Sequence, residues 1–515
     1  MAIDRVLPPG LALLLAALAG GCTVGPNYHP PHAAVPASFL AGKPAGGVPS
    51  RPVAARPAVR WWRLFHDPIL SRLEVRAASQ NLDLRVAALR VAESRAQEGI
   101  AGAARFPSLG ANASYTREQP SNKGVFTALG NPSAASTASG AGAGGVASGA
   151  GSQGGAGGAP SSHLGAFDIF QGGFDTIWEL DLWGKTRRAV EAARADTSAA
   201  AYDRRGVMVA VMAEVARDYI ALRGTERTLA ITRRNLATAE RLRKLTQDLA
   251  SGGLSTALDV ANAAAEVATV EAQIPPLEQS EARQINALGL LLGEPPGALD
   301  TLLATARPVP PPPPAVPVGL PAQLLRRRPD IRAAEARLHA ATANIGVATA
   351  DLLPDVSLSA SAGLQAVQFH NIFDLAANQW AIGPSLTLPI FEGGKLRAQL
   401  RLTRLQAKEA AVNFEKSVLT ALTEVDDALT AYRDEQRRRA HLAEAVTQDH
   451  TALGLAQARY AQGIASYIEV LDAERNLLAA EQALSSSTAT VSTDLVALYK
   501  ALGGGWQRRA APARS

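Results

Sequence analysis

Four short stretches of the chain alternate apolar and polar side chains with a period of two. The clearest runs begin at Val356 and Trp380, and two more lie around Leu109 and Phe174. Each run is about ten residues long, as in a membrane-spanning β-strand. A half-buried soluble sheet shows the same alternation, so one run alone does not decide between the two. The residues expected on one face of their strands are Leu109, Ala111, Ala113, Tyr115, Phe174, Thr176, Trp178, Leu180, Leu182, Val356, Leu358, Ala360, Ala362, Leu364, Trp380, Ile382, Leu386, Leu388 and Ile390.

Other parts of the chain have the apolar spacing of coiled-coil helices. From Met208 to Leu222 the apolar positions follow steps of 4-3-4-3, and from Ala411 to Tyr432 they alternate steps of 3 and 4. Such spacing produces an apolar seam along which helices pack side by side. The remaining positions are mostly charged or polar, so these helices should stand in water. We expect helices at about 68–105, 186–251, 254–292, 320–353, 395–462 and 464–502.

The chain is internally duplicated. Asp83-Leu84-Arg85 matches Asp330-Ile331-Arg332 at an offset of 330 − 83 = 247 residues. Later positions match at an offset of 210, which pairs Arg223 with Arg433 and Gly253 with Gly463. The difference, 247 − 210 = 37, indicates an insertion in the first copy, and residues 136–159 there are nearly all glycine, alanine and serine. We predict that this tract is a mobile loop between the first two strands.

These features divide the chain into six segments. The predicted boundaries are 1–21 for a signal peptide, 22–60 for an extended N-terminal segment, 61–300 for the first repeat, 301–319 for a Pro-rich linker, 320–505 for the second repeat and 506–515 for a tail. Each repeat should contain a helix, a strand pair, a long helix and a shorter helix.

The only cysteine follows a short apolar run at the N-terminus. Leu11 to Ala19 is too short for a permanent membrane helix and is typical of a signal peptide. Gly20 and Gly21 precede Cys22, as in a bacterial lipoprotein signal, so we predict that the thiol of Cys22 is lipidated. Thr23 follows where an aspartate would indicate retention at the inner membrane, which favours the outer membrane.

Composition excludes several classes of function. A net charge of +5 over 515 residues is too weak and too dispersed for a dedicated nucleic-acid binder. One cysteine excludes a disulfide framework, and the eight histidines lack metal-ligand spacing. No nucleophile elbow, phosphate loop or metal motif is present, so we expect no catalytic site, no metal and no cofactor. The isolated His339, His441 and His450 are interpreted as surface polar groups.

Four strands cannot close a barrel by themselves. An open sheet edge cannot face lipid, because its backbone groups would find no hydrogen-bond partner there. If the strands enter a membrane, the chain must therefore oligomerise through them. Two copies would supply eight strands and three would supply twelve, and the residues alone do not choose between these numbers.

Seven segments in this order resemble the TolC-like outer-membrane efflux family, in its lipoprotein branch (NodT/OprM type). They are CTVGPNYHPP, WWRLFHDPIL, WELDLWGK, LLRRRPDIRAAEARL, LPIFEGG, YAQGIASYIEVLDAERNLLAAEQAL and LVALYKALGGGW. The resemblance implies an α+β membrane protein whose homotrimer forms a 12-stranded β-barrel continued by a periplasmic helical barrel. It further implies a lipid-anchored channel in the outer membrane, without enzymatic activity, that receives drugs or other toxic small molecules from a periplasmic adaptor and an inner-membrane RND-type or MFS-type pump.

Three alternatives remain at this point. A channel for type I protein secretion would share the fold, whereas a periplasmic adaptor lipoprotein or a coiled-coil envelope tether would lack paired strands and full-length duplication.

The resemblance also assigns roles to the two turns that follow the long helices. They are implied to close the periplasmic end of the channel and to contact the adaptor. Ser255 and Ser466 are also expected to N-cap the helices that follow the turns. The implied contact residues are Gly252, Gly253, Leu254, Ser255, Gly463, Ile464, Ala465 and Ser466. The candidate gate residues nearby are Asp248, Asp259, Arg459, Glu469 and Asp472.

Overall fold

The computed structural model describes residues 23–32, 34–39, 49–119 and 166–506. They form two compact units. The strand unit is built from the described parts of 102–187 and 349–396, together with residues 23 and 24. The helical unit is built from the described parts of 25–101, 188–348 and 397–506.

Ten α-helices lie in the described part of the chain, and two of them are 67 residues long, or roughly 100 Å. They are α1 (Pro68–Gln80), α2 (Leu82–Ala103), α3 (Lys185–Ser251), α4 (Ala257–Glu271), α5 (Ile274–Leu292), α6 (Asp300–Leu303), α7 (Pro321–Arg327), α8 (Pro329–Ala350), α9 (Lys395–Ala461) and α10 (Tyr467–Ala501). The predicted bounds of both long helices are therefore confirmed to within a residue. None of the helices in the described ranges is both long enough and apolar enough to cross a membrane.

Three helices predicted as continuous are in fact interrupted. The first breaks at Asn81, whose Oδ1 accepts a hydrogen bond from the Leu84 N–H at 2.9 Å and so caps α2. The second breaks at Arg328, because the residue before a proline is disfavoured in helical conformation and Pro329 begins α8. The third breaks before Ile274, where two prolines follow and cannot donate backbone hydrogen bonds.

Six β-strands form two sheets in the described residues. The strands are β1 (Arg51–Val53), β2 (Ser108–Glu118), β3 (Phe167–Leu180), β4 (Ala315–Pro317), β5 (Asp355–Ala366) and β6 (Asn378–Thr387). The short strands β1 and β4 pair in parallel. The four long strands form one antiparallel sheet in the order β2-β3-β5-β6. All four predicted strands are present, although β3 starts seven residues earlier than predicted and ends before Leu182, and β6 ends before Leu388 and Ile390.

The register separates the side chains of this sheet into two chemically different faces. The Tyr115–Phe170 and Trp178–Leu358 pairs lie on the first face, whereas the Asn112–Gly173 and Ser357–Ser385 pairs lie on the second. The first face also carries Leu109, Ala111, Ala113, Phe174, Leu180, Val356, Ala360, Ala362, Leu364, Trp380, Ile382 and Leu386. We call it the apolar face and the other the polar face. The predicted alternation is thus confirmed across all four strands.

Two paired glycines bring β3 and β5 unusually close together on the polar face. A Cβ atom added at Gly173 would lie 2.7 Å from the Ala362 carbonyl oxygen. One added at Gly363 would lie 2.5 Å from the Gly172 carbonyl oxygen. No side chain fits at either position without separating the strands.

The core of the helical unit forms where the coiled-coil seams meet the segment before α1. Trp61 stacks on Tyr499 with ring centroids 5.3 Å apart, and Leu70 and Leu73 are fully buried beside them. The predicted seams lie inside the protein: Met212, Val215, Tyr219, Leu222, Phe414, Val418, Ala421, Val425 and Tyr432 are all buried.

Candidate functional site: the two helical tips

The two turns predicted as functional, which we call the tips, share one backbone geometry. Gly253 and Gly463 have φ of +75° and +72°, a conformation that glycine adopts without strain. In the first tip the Leu254 N–H donates to the Leu249 carbonyl at 2.8 Å. In the second, the Ile464 N–H donates to the Arg459 carbonyl at 3.0 Å. Both turns are therefore Schellman motifs that end α3 and α9 at duplicated positions.

The tips present apolar side chains to solvent at these same positions. Leu254 is 79% exposed and Ile464 is 64% exposed. Their flanking glycines, Gly252, Gly253 and Gly463, are exposed too, whereas Ala465 is half-buried. A second exposed aliphatic side chain follows four residues later in each copy, Leu258 after Leu254 and Ile468 after Ile464, so each tip presents a small apolar surface to solvent.

The helix starts after the two tips are capped differently. Thr256, not Ser255, is the N-cap of α4, and it forms a capping box with Asp259. Ser255 instead donates its hydroxyl hydrogen bond to Asp259 Oδ2 at 3.1 Å. Burial acts to raise the pKa of Asp259, but hydrogen bonds from Thr256 and Ser255 outweigh it and lower this pKa below its ordinary value. Asp259 is therefore committed to the cap.

The equivalent cap of the second tip is not closed. Ser466 occupies the N-cap of α10, as predicted, but its side chain accepts no cap hydrogen bond. Glu469, the counterpart of Asp259, lies 3.5 Å from Arg459 Nη1 instead. The first copy has Leu249 where the second has Arg459, so only the second tip offers a cation that competes for the capping carboxylate. Both partners are about half exposed, which makes the pair weak and reversible.

The other two gate candidates lie on exposed helical surface. Asp248 accepts hydrogen bonds through its backbone carbonyl from Gly252 N and Ser251 Oγ. Its side chain is exposed, as is that of Asp472. The structure brings Arg459 and Glu469 together but forms no salt bridge to Asp248 or Asp472 among the described residues.

Hydroxyl groups link the first tip to the end of α9. Ser255 Oγ lies 3.4 Å from the Tyr460 hydroxyl, which lies 3.3 Å from Thr246 Oγ1. Tyr460 is buried against Tyr467, with ring centroids 5.6 Å apart. A movement of one tip therefore disturbs contacts of the other.

Two buried carboxylates on α4 and α10, the helices that follow the tips, were not predicted from the sequence. Glu266 and Glu474 are each 3% exposed. Arg475 donates to Glu266 Oε2 from Nη2 at 2.7 Å and from Nε at 2.9 Å. Neither carboxylate oxygen of Glu474 has a hydrogen-bond partner among the described residues. Burial, and secondarily the nearby charge of Glu266, raises the pKa of Glu474 to about 7. Glu474 takes an apolar position in the helical spacing Val470-Glu474-Leu477, and this spacing was the sequence signal that it is buried.

One histidine differs from its predicted role. His339 is not a free surface group: its ring stacks on Tyr28 with centroids 4.3 Å apart, and its Nε2 lies 2.9 Å from Glu191 Oε1. Arg188 donates to Glu191 and to Asn27, so His339 belongs to a cluster that holds the N-terminal segment.

Cys22 and residues 136–159 lie outside the described residues. The chain directly after Cys22 is held at the strand unit, because the Val24 N–H donates to the Trp183 carbonyl at 3.0 Å, three residues beyond β3.

Comparison with known proteins places this geometry in one family. The family model described as "Outer membrane efflux protein" matches residues 73–294 and 320–504. The chain is similar to the solvent efflux pump outer membrane protein SrpC of Pseudomonas putida, with 34% identity covering 97% of this chain and 98% of the relative. It is also similar to the outer membrane protein OprJ of Pseudomonas aeruginosa, with 32% identity covering 96% and 95%.

Solved structures give the same result. The outer-membrane channel OprN aligns with a TM-score of 0.82 and 35% identity, covering 95% of this chain and all of that chain. The open state of the Neisseria gonorrhoeae MtrE outer membrane channel aligns with a TM-score of 0.75 and 28% identity, covering 95% and 99%.

Proposed function

The chain belongs to the outer membrane efflux protein family, and we propose that its homotrimer is the exit channel of a tripartite efflux system. The protein is an outer-membrane transport component and not an enzyme. Its cargo is proposed to be drugs or other toxic small molecules, since relatives are named for solvent, toluene and antibiotic efflux. These names favour small-molecule efflux over type I protein secretion, and the family excludes a periplasmic adaptor.

The two-faced sheet is the observation that carries this proposal. The apolar face suits lipid and the polar face suits an aqueous lumen. In the described residues β2 and β6 each lack a neighbour on one side, and such edges cannot remain open in hydrocarbon. Pairing β6 of one copy with β2 of the next closes a ring, and three copies supply twelve strands.

We propose that the tips bind the periplasmic adaptor. Their exposed Leu254 and Ile464 provide apolar anchors, and the glycines beside them allow a partner to approach closely. The inner-membrane partner is proposed to be an RND-type or MFS-type pump, and the route requires no cofactor or metal in the channel.

The resting gate is proposed to depend on weak charge contacts at the second tip. The Arg459–Glu469 pair is half exposed, so water and a partner protein compete for it easily. Asp472 and Asp248 are exposed nearby and are proposed to meet cations of neighbouring copies. Asp259 is the weakest gate candidate, because its carboxylate already closes the α4 cap. An adaptor opens such a gate only if it binds the open tips more tightly than the closed ones.

Lipidation of Cys22 is proposed to anchor the strand unit to the membrane. The Val24–Trp183 hydrogen bond holds the chain within two residues of Cys22 beside the end of β3. A lipid attached there would reach the same leaflet that the strands enter.

Planar-bilayer recordings and efflux assays test these proposals. Charge reversal by Arg459→Glu or Asp472→Lys should raise single-channel conductance without adaptor, whereas Arg437→Glu, far from the tip on the same helix, should not. Gly463→Trp or Ser466→Trp should abolish drug resistance while the heat-sensitive trimer band persists on gels. Gly454→Trp is the control, because a side chain there also meets open space but lies within α9 and not in the turn. A wild-type protein that runs only as a monomer and conducts no current would contradict the channel itself.

A further inference from the structure

The polar face of the four-stranded sheet carries charges of one sign only. Its charged side chains in the described strands are Glu118, Asp175, Glu179 and Asp355, and no lysine or arginine accompanies them. The two other charged residues of these strands, Arg117 and Asp168, lie on the apolar face and pair with each other at 3.5 Å. The four strands therefore place net negative charge on the side proposed to face the lumen.

Asp175 differs from Glu179 and Asp355 in having no cation beside it. Glu179 lies 3.5 Å from Lys185 Nζ, and the same ammonium feels the charge of Asp355. Glu118 is the last residue of β2. Asp175 lies well inside β3 and, among the described residues, forms no salt bridge.

The carboxylate of Asp175 is fixed in place by two features of β2. Asn112 Nδ2 donates a hydrogen bond to its Oδ1 at 3.2 Å. Gly110, directly opposite on β2, leaves the space that the carboxylate occupies, because a Cβ atom at Gly110 would lie 3.2 Å from both carboxylate oxygens. A neutral amide donor orients the carboxylate without neutralising its charge.

We propose that Asp175 is a cation-selecting residue of the channel lumen, which favours passage of positively charged solutes over anions. The inference rests on the proposed trimer, in which the three Asp175 carboxylates lie at one level of the barrel. Twelve strands about 4.8 Å apart and tilted by about 40° enclose a barrel about 24 Å wide between backbones. Each carboxylate then lies roughly 9 Å from the axis, since side chains of the polar face extend inward.

The salt concentration decides how strongly the lumen selects cations, because dissolved ions screen the three carboxylates. Three unit charges at this distance enrich a monovalent cation on the axis about fivefold in 10 mM salt and about two- to threefold in 0.1 M salt. In 1 M salt the Debye length of about 3 Å is much shorter than the distance to the axis, so the enrichment disappears. Salt-dependent selectivity is therefore the signature of this ring.

Reversal potentials in a KCl gradient across planar bilayers test the proposal with the full-length trimer. The wild type should prefer K⁺ over Cl⁻ at low salt, with the preference lost in 1 M salt. Asp175→Asn should lower the permeability ratio at least twofold, Asp175→Glu should keep it and Asp175→Lys should invert it. Asp168→Asn is the matched control, because it removes the same charge from the same strand on the apolar face.

A second measurement uses spermine added on the barrel side, which should block wild-type current more strongly than that of Asp175→Asn. An Asp175→Asn channel with the wild-type permeability ratio and wild-type spermine block would overturn the proposal while leaving the channel function intact. Absence of any wild-type conductance would instead overturn the proposed channel, and the cation-selecting role with it.

Discussion

Because the carboxyl group of Glu474 is buried, we expect α4 and the start of α10, which follow the tips, to lose stability as the pH rises. Glu474 is 3% exposed, and within the part of the chain that the structure describes neither of its carboxylate oxygens has a hydrogen-bond partner. Its charge acts on the buried Tyr467, and its neighbours along α10, Leu471 and Leu477, belong to a buried apolar cluster. Burying an unpaired carboxylate is costly, so the folded protein keeps this group protonated to a higher pH than the unfolded chain does.

The sign and size of the effect follow from the pKa of Glu474. Its folded-state pKa of about 7 lies above the ordinary value of 4.5. The stabilising contribution is therefore fully present below pH 4.5 and is lost as the pH rises through 7. A difference of this size corresponds to about 3 kcal/mol. The equilibrium for local opening of these helices should change on the order of a hundredfold between pH 4.5 and pH 8.

Hydrogen exchange of backbone amides in α4 and at the start of α10 measures this opening directly. After correction for the intrinsic pH dependence of exchange, the wild type should be less protected at pH 8 than at pH 5. Glu474→Gln cannot ionise, so its protection should stay constant and should exceed that of the wild type at pH 8. Glu469→Gln is the control, because Glu469 is exposed at the same end of the helix.

Two results would refute this reasoning. Equal pH dependence in the wild type and Glu474→Gln would show that another group titrates. The charges of Arg241 and Arg475 both act on Glu474. Greater protection of the wild type than of Glu474→Gln at pH 8 would show that one of these arginines pairs with an ionised Glu474, so that the folded-state pKa of Glu474 lies below 4.5.

Three further predictions concern the sheet, the first tip and the anchor. Gly363→Val should separate β3 from β5 and reduce the yield of heat-sensitive trimer on gels, whereas Gly383→Val, with open space around it, should not. Asp259→Ala should destabilise the start of α4 by about 1 kcal/mol through loss of its capping box, seen as faster exchange of the Thr256 and Asp259 amides, and Glu469→Ala should affect its own helix start less. Cys22→Ser should abolish palmitate labelling while the trimer still forms, and mass spectrometry showing unmodified Cys22 in the mature wild type would contradict lipidation.

Periodicity predicted the long elements well because their surroundings repeat along the chain. The seam from Met212 to Leu222 is buried along its length, and the alternation from Val356 to Leu364 places every second side chain on the apolar face of one sheet. Helix interruptions were missed where a single side chain or bond decides them, as at Asn81, whose amide both caps α2 and donates to the Leu291 carbonyl. Such a residue can only be recognised once its distant partner is known.

Chemistry at the tips was predictable only in part. The duplicated glycines Gly253 and Gly463 indicated both turns, because positive φ is a local requirement that sequence expresses directly. Which hydroxyl caps α4 was predicted wrongly, since Ser255 and Thr256 are adjacent and equally suited, and the register of the turn selects Thr256. For Glu474 the apolar spacing indicated burial, but its raised pKa also depends on Glu266, which lies on a different helix and is brought near only by the fold.

Duplication preserved positions in the fold but not the environments of individual residues. Arg223 and Arg433 are equivalent at the offset of 210. Arg223 is fully buried, where its Nη1 donates to Glu226 and to the Thr305 carbonyl of the linker segment. Arg433 instead pairs with its exposed neighbour Asp434.

The same divergence explains why the second tip is better suited than the first to move. In the first copy the capping carboxylate has no cation to compete for it, because position 249 is leucine, so the start of α4 is fixed. In the second copy Glu469 lies beside Arg459, and the Ser466 side chain accepts no cap hydrogen bond. Because the Arg459 contact is half exposed and weak, we expect Glu469 to populate both the cap and the Arg459 contact. A mobile gate needs such near-equal alternatives, and in the described residues they occur at the tip that follows α9.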